Sequence, residues 1–278
     1  MKNKTIDLKI IAEEIRKRVW KLIYDAQSGH TGGDLSSADI LTALYFEIMN
    51  IDPNDPDNSD RDRYVQSKGH SVEVLWCILK EKGFISEEEL ETFLKPNSLL
   101  FGHPNNKVPG VEMNTGSLGH GLSVGVGMAI AAKMDNNDYK TYVLIGDGEL
   151  AEGSNWEALM AASKYKLDNL IGIIDRNKLQ ITACTEDVMP LEPLNEKLKS
   201  FGCNVYEIDG NNMEEIIDTL KSLKANGKPH LIIANTVKAK GISFAENIPE
   251  WHHKVPNEDE YLKGLEEISN RIEELKNE

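Results

Sequence analysis

Short apolar runs alternate with helical patterns through most of this chain, and that alternation limits its fold more than any other feature. The strand-like runs are 64–66, 141–145, 170–174, 204–208 and 230–234. Apolar residues at helical spacing lie between them, as in 156–165 and 213–223. Strands that alternate with helices form a parallel sheet that is covered on both faces. We therefore predict an α/β fold, a parallel sheet with helices on both faces.

Helical patterns also occupy both ends of the chain. Apolar residues recur at helical spacing over 8–23 and again over 262–275. A further helix is predicted after the glycine-rich break 28–34, with Ser36 or Ser37 as its cap. No internal repeat and no low-complexity linker divides the chain. We therefore expect residues 1–278 to form a single domain with helical extensions at its amino and carboxy termini.

The charge balance argues against one broad class of function. The chain has 46 acidic and 31 basic side chains, a net charge of -15, whereas nucleic-acid binding needs a basic surface. The most apolar stretch, 122–132, is shorter than the roughly 20 residues of a membrane span. Widely spaced Cys77, Cys184 and Cys203 are typical of a reducing compartment. We expect a cytoplasmic protein that binds neither nucleic acid nor membrane, although a local site can still be positive.

Polar side chains follow two successive strand-like runs. Asp147 comes directly after the run 141–145, within Gly146-Asp147-Gly148, and Asn177 follows the run 170–174. Their separation matches one strand–helix–strand unit. Because ligands bind beyond the carboxyl ends of parallel strands, we expect Asp147 and Asn177 to meet at one edge of the sheet.

These side chains carry oxygen donors. The Asp147 carboxylate, the Asn177 amide and the backbone carbonyl of Leu179 would give three oxygen ligands, a set that suits Mg²⁺ completed by phosphate oxygens. Gly146 and Gly148 would let the backbone approach those phosphates. Gly-Asp-Gly alone is more typical of an ordinary tight turn, but its pairing with Asn177 favours the site.

A Gly-Asp-Gly sequence followed about thirty residues later by Asn resembles the signature of enzymes that bind thiamine diphosphate through a divalent metal. The resemblance implies the thiamine diphosphate-binding fold. It implies that Asp147, Asn177 and the Leu179 carbonyl bind Mg²⁺, or another divalent cation such as Ca²⁺ or Mn²⁺. It also implies that Gly148 and Asn177 contact the cofactor.

Five loop segments that contain histidine narrow the resemblance to one family. They are Gly29-His30, Ser67-Lys68-Gly69-His70, Phe101-Gly102-His103-Pro104, the turn 115–121 with His120, and Trp251-His252-His253. In this order they resemble transketolase, and the resemblance runs from about Leu8 to about Lys254. His120 departs from the family, which commonly has Gln there.

The transketolase resemblance implies roles for the histidines. His30, His103 and His252 would line the substrate channel as catalytic residues, where they bind sugar oxygens and assist proton transfer. His70 would bind the diphosphate, with His252 also near it. Either member of the pair His252-His253 could face the cofactor, and we favour His252. A histidine pKa near neutrality would suit proton transfer in both directions.

Further contacts follow from the same resemblance. Gly116, Ser117 and Leu118 would contact the aminopyrimidine and the linker of the cofactor. Glu152 would lie at the subunit interface and couple two cofactor sites. Whole transketolases continue for several hundred residues beyond the matching part, so the resemblance implies a second chain. That partner would be a carboxy-terminal subunit carrying the pyrimidine domain, with two copies of each chain.

The expected reaction is transfer of a two-carbon ketol unit from a ketose phosphate to an aldose phosphate. The sugar and its route stay open, whether the pentose phosphate pathway or a catabolic one. Deoxyxylulose-phosphate synthase and the first component of 2-oxoacid dehydrogenases share Gly-Asp-Gly and Asn, but the segments 102–104, 115–121 and 251–252 favour transketolase. A non-catalytic cofactor-binding paralogue is a further alternative. An ordinary nucleotide-binding domain lacks its Gly-x-Gly-x-x-Gly turn here.

Overall fold

One parallel sheet organises the molecule. The computed structural model describes residues 2–181 and 183–278. The strands are β1 (Arg63–Gln66), β2 (Thr141–Gly146), β3 (Leu170–Arg176), β4 (Asn204–Asp209) and β5 (His230–Asn235). Their order across the sheet is β1-β2-β3-β5-β4, and every neighbouring pair is parallel. The predicted strand-like runs therefore each lie within one of these strands.

Helices connect the strands and extend the chain at both ends. They are α1 (Lys2–Ala26), α2 (Thr31–Ala43), α3 (Glu73–Lys82), α4 (Glu87–Leu90), α5 (Gly121–Met134), α6 (Gly153–Lys164), α7 (Thr185–Val188), α8 (Leu194–Ser200), α9 (Met213–Ser222) and α10 (Glu258–Lys276). A π-helical turn, Leu44–Ile48, extends α2, and 3-10 turns form at Gly148–Ala151 and Pro249–His252.

The sheet is buried on both faces because side chains alternate along each strand. In β2, Tyr142 and Leu144 belong to a core with α1, α2, α3, α9 and α10. Val143 and Ile145 belong to a second core with α5, α6 and α8. The predicted fold, a parallel sheet with helices on both faces, is confirmed.

A buried guanidinium fastens the two ends of the chain to α2. Arg16 of α1 is 2% exposed and donates hydrogen bonds to Glu13 and to both carboxylate oxygens of Asp39. Arg271 of α10 donates to the second oxygen of Glu13 at 3.1 Å. Because a charge buried without a partner is costly, these bonds fix α1 and α10 against α2.

The predicted cap of α2 is wrong. The helix begins at Thr31, so Ser36 and Ser37 lie inside it and are fully buried. Their hydroxyls donate back to the Gly33 carbonyl at 3.0 and 2.9 Å, a bond that lets a serine stay inside a helix. The helix therefore starts directly after His30 and brings that residue to the sheet edge.

The remaining expectations concern cysteines and membranes. Cys77, Cys184 and Cys203 are free thiols. Within the described part of the chain, no helix has the length and apolar character that crossing a bilayer would require.

Candidate functional site

A cavity of about 490 Å³ opens at the carboxyl edge of the sheet. It lies where β2 and β3 end, and segments before α2, after β1 and after β5 close its sides. Its lining consists of His30, Gly33, Lys68, His70, Gly116, Leu118, Gly146, Asp147, Gly148, Glu149, Asn177, Leu179, Gln180, Ile181, Lys238 and His252. Residues from distant parts of the sequence therefore converge on one space.

Asp147 and Asn177 meet at this edge, as their positions after successive strands predict. β2 and β3 are neighbours, and Gly146 pairs with Asp175 just before the two residues. The Asp147 carboxylate accepts from Lys178 N at 2.6 Å and from Arg176 at 3.1 Å on one oxygen. Burial raises the pKa of Asp147, while these donors act in the opposite direction.

A buried carboxylate orients the Asn177 amide. Asp175 is 0% exposed, and its Oδ2 accepts from Asn177 Nδ2 at 3.3 Å and from Lys68 Nζ at 2.5 Å. Burial alone would raise the pKa of Asp175, but the Lys68 ammonium holds it below its ordinary value. Because Asp175 takes the amide N–H of Asn177, the amide oxygen is directed elsewhere, and it accepts from Leu179 N at 3.2 Å.

The donor set fits a hard divalent cation. Asp147, Asn177 and Leu179 all border the cavity and offer a carboxylate, an amide oxygen and a backbone carbonyl. Residues 2–181 and 183–278 contain no group of three or more His, Cys, Asp or Glu side chains suited to a metal. Oxygen donors with a single carboxylate leave most of an octahedral shell to other ligands, which suits Mg²⁺ bound together with phosphate.

Two buried lysines border the cavity. Lys238 is 1% exposed and donates to the Leu179 carbonyl at 2.8 Å and to His252 Nδ1 at 2.7 Å. Burial lowers the pKa of Lys238 to about 8. Lys68, 2% exposed, lies on the other side against Asp175. Lys238 is not among the residues predicted from the sequence, although its position shortly after β5 is a signal that indicates the site edge.

Three histidine rings gather around the same space. The centroid distances are 5.1 Å between His30 and His70, 5.5 Å between His70 and His252, and 5.9 Å between His30 and His252. Burial, followed by nearby cations and imidazoles, lowers the pKa of His30 to about 4, of His70 to about 2 and of His252 to about 3. In the ligand-free chain these three rings are therefore neutral at pH 7.

The two residues of the His252-His253 pair lie at different positions relative to the cavity. His252 borders the cavity, whereas His253 is exposed outside it with its ring 4.5 Å from that of His30. His103 also lies outside the lining and packs against the glycine turn. A Cβ built on Gly116 would lie 2.6 Å from His103 Cδ2, so only glycine allows this approach.

A buried glutamate holds that turn against the sheet edge. Glu149 accepts from Gly119 N at 2.9 Å, from Gly146 N at 3.0 Å and from the Ser67 hydroxyl. Gly116 and Leu118 consequently border the cavity. Ser117 and Glu152 are exposed beside it and do not line it.

The sequence matches one family. The model of the family described as "Transketolase, thiamine diphosphate binding domain" matches residues 8–267. An apulose-4-phosphate transketolase subunit of Phocaeicola vulgatus is 54% identical over 98% of this chain and 97% of its own length. The 6-deoxy-6-sulfo-D-fructose transketolase subunit SqwG of Clostridium sp. is 42% identical over 96% of this chain and 98% of its own.

Solved structures agree with the sequence comparison. The transketolase of Campylobacter jejuni is 30% identical and superposes with a TM-score of 0.84 over 98% of this chain. This chain spans 48% of that protein, about half its length. The similarity therefore concerns one half of the longer enzyme.

The depressed histidine pKa values predict a specific titration in the ligand-free chain. In NMR spectra recorded between pH 7.5 and 5.5, the rings of His30, His70 and His252 should stay neutral, because their environment opposes protonation. An unfolded chain protonates histidine near pH 6.5, so it binds more protons than the folded chain below that pH. The free energy of unfolding should therefore decrease as pH falls from about 6.5 toward 4. Midpoints near 6.5 for these three rings would contradict the description of the site.

Proposed function

Because the chain belongs to the transketolase family as its thiamine diphosphate-binding domain, we propose that it is the diphosphate- and metal-binding half of a two-chain transketolase. The enzyme transfers a two-carbon ketol unit from a ketose phosphate to an aldose phosphate. The observation that carries the proposal is the meeting of Asp147 and Asn177 at a cavity with two buried lysines.

Asp147, Asn177 and the Leu179 carbonyl hold the metal, which is Mg²⁺ or a similar cation such as Ca²⁺ or Mn²⁺. Their all-oxygen chemistry and their shared position on the cavity support this assignment. The Leu179 carbonyl has a second lone pair beside the one that accepts from Lys238. A cation there would be balanced by a diphosphate and not by further carboxylates.

His70, His252, Gly148 and Asn177 bind the diphosphate, and Lys238 joins them. Neutral imidazoles donate N–H bonds to phosphate oxygens, and a buried ammonium gains from an anion that replaces lost hydration. The position of each of these residues on the cavity wall supports the assignment. An anion at this place would also raise the pKa of the neighbouring histidines toward neutrality.

The bound cofactor supplies the electron sink that ketol transfer requires. His30, His103 and His252 do the protein's part, which is to orient the sugar hydroxyls, accept a proton and return it. General acid–base groups of this kind contribute about 10² to 10⁴-fold to rate. Neutral rings that can accept a proton support the role for His30 and His252. For His103 the support is its contact with Gly116 beside the cavity.

Gly116, Ser117 and Leu118 contact the aminopyrimidine of the cofactor, and Glu152 lies at a subunit interface. Gly116 and Leu118 border the cavity, which supports the first role. Ser117 and Glu152 are exposed beside it, so a partner chain could cover them. Ile181 borders the cavity and is 71% exposed. It would give a partner chain an apolar contact on the same face.

The partner is a carboxy-terminal transketolase subunit that carries the pyrimidine domain, with two copies of each chain in the cytoplasm. Two observations support such a partner chain. Relatives named as transketolase subunits share almost their full length with this chain, which would form a single domain over residues 1–278. Solved transketolases are about twice as long.

Apulose 4-phosphate is the ketose phosphate that we propose as donor. Two relatives named for that sugar phosphate are 54% and 53% identical to this chain, whereas the relative named for a sulfonated fructose is 42% identical. The aldose acceptor would be a short sugar phosphate. The reaction would then belong to the catabolism of such sugars and not to the pentose phosphate pathway.

The two-chain proposal predicts how activity depends on the partner. The purified chain with thiamine diphosphate and Mg²⁺ should show no ketol transfer, because the pyrimidine half of the site is on the other chain. Addition of a pyrimidine-domain partner chain should restore transfer from apulose 4-phosphate, measured by release of the shortened product. Activity of the lone chain would contradict the two-chain proposal, and decarboxylation of pyruvate in place of ketol transfer would favour the 2-oxoacid alternatives.

The metal assignment predicts the effect of one substitution. Asp147→Ala removes the only carboxylate of the donor set, so affinity of the reconstituted complex for thiamine diphosphate with Mg²⁺ should fall by at least about 100-fold. Calorimetric titration measures it. Asp138→Ala, an exposed residue near the opposite edge of the sheet, is the matched control and should bind normally. Unchanged affinity in Asp147→Ala would disprove the metal assignment.

A further inference from the structure

Two buried carboxyl side chains lie behind the cavity, and the proposed function uses neither of them. Asp34, in the first turn of α2, is 0% exposed, and Glu73, the first residue of α3, is 1% exposed. Asp34 follows His30 by one helical turn, and Glu73 follows His70 by three residues. The two carboxyl groups therefore join the elements that carry two of the cavity histidines.

Their hydrogen bonds leave one oxygen open on each side chain. Asp34 Oδ1 accepts from Val74 N at 2.9 Å and so caps α3. Because Val74 directly follows Glu73, this bond places the Asp34 carboxyl group beside Glu73. Within the described residues, Asp34 Oδ2 and Glu73 Oε2 meet no N–H or O–H donor. Two adjacent buried carboxylates cannot both ionise, whereas one proton between them would supply the missing donor.

The charged and titratable groups around the pair do not replace that proton. Lys68, from the segment after β1, is the cation that acts on Asp34, but its ammonium is hydrogen-bonded to Asp175 and to the Gly33 carbonyl. Cys77 of α3 is a neutral thiol, since burial and the nearby carboxyl groups raise its pKa. Arg18 of α1 acts on Cys77 in the opposite direction and lowers its pKa. One of the two carboxyl groups must therefore carry a proton.

We propose that Asp34 and Glu73 share one proton, and that the resulting hydrogen bond positions the His30 and His70 segments around the cavity. The proton sharing stands on the bond from Val74 to Asp34, on the burial of both carboxyl groups and on their two unpartnered oxygens. The effect on catalysis rests on the proposed function, because it acts through His30 and His70. Both carboxyl groups are positioning residues and touch neither substrate nor cofactor.

Packing next to the pair supports the positioning role. A Cβ built on Gly29 would lie 3.0 Å from Glu73 Oε1, so the carboxyl group packs directly against the residue before His30. A Cβ built on Gly33 would lie 3.8 Å from His70 Nε2, so the start of α2 also lies close to the second histidine. A change in the distance between Asp34 and Glu73 would therefore move both rings.

The shared proton makes this link sensitive to alkaline pH. Burial raises the pKa of Asp34 to about 7, and burial together with Asp34 raises that of Glu73 well above its ordinary value. The folded chain consequently binds more protons than the unfolded chain once pH exceeds about 4, and stability falls as pH rises through neutrality. The neutral cavity histidines act in the opposite direction, so a comparison of variants is needed to isolate the pair.

The test measures the melting temperature of the full chain from pH 5 to 8 in the wild type, Glu73→Gln and Asp34→Asn. Each amide supplies its own N–H donor and removes the need for a proton. The difference in melting temperature between each amide variant and the wild type should therefore grow by about 3 °C, in favour of the variant, as pH rises from 5 to 8. Glu258→Gln, the same change at the exposed first residue of α10, should follow the wild type. Wild-type and amide curves that stay parallel would overturn proton sharing, and either amide alone suffices if the other fails to fold.

A second readout separates positioning from stability. In the two-chain enzyme, Glu73→Gln should retain ketol transfer and move the alkaline limb of the kcat/KM profile to higher pH. Glu73→Met, which keeps the length but loses the hydrogen bond, should lower kcat/KM by about 10-fold or more, equivalent to roughly 1.4 kcal/mol. Identical pH profiles of wild type and Glu73→Gln would overturn the positioning role. If no ketose is turned over by any variant, the proposed function fails, and the melting curves still decide proton sharing.

Discussion

The Asp175 carboxylate is the contact on which the geometry of the cavity depends. It is fully buried, and a buried charge is tolerated only when it is paired and hydrogen-bonded. Lys68 supplies the charge, Ser36 donates at 2.7 Å, and Thr236 donates to the second oxygen. These donors come from the segment after β1, from α2 and from the segment after β5, so a single group ties three parts of the chain to the end of β3. Asn177 takes its orientation from the same carboxylate.

This arrangement explains how an acidic protein can offer a site for an anion. Net charge describes the whole surface, whereas the cavity is set by local groups. Lys68 and Lys238 are buried there, and the histidines beside them are neutral because burial and the lysines oppose their protonation. A metal-bound diphosphate would favour protonation of these histidines, because a nearby negative charge raises a histidine pKa. The ligand-free cavity therefore offers a buried ammonium group and imidazole N–H donors to an anionic ligand.

The sequence predicts the fold well because the alternation of strand and helix is a local pattern that tertiary contacts do not override. It also places Asp147 and Asn177 together, since adjacent parallel strands end at the same edge. The start of α2 was misplaced because Ser36 and Ser37 bond back inside the helix, a choice that sequence alone does not reveal. Lys238, the Asp34–Glu73 pair and the depressed histidine pKa values depend on burial between distant segments, so only the folded structure shows them.

The metal position tests the central claim most directly. In a crystal of the two-chain complex grown with thiamine diphosphate and Mn²⁺, an anomalous difference map locates the metal without reference to any assumed chemistry. We expect one strong peak at about 2.1 to 2.2 Å from an Asp147 carboxylate oxygen, the Asn177 amide oxygen and the Leu179 carbonyl, with phosphate oxygens completing the shell. A bound cofactor whose metal is coordinated by other residues would contradict the account.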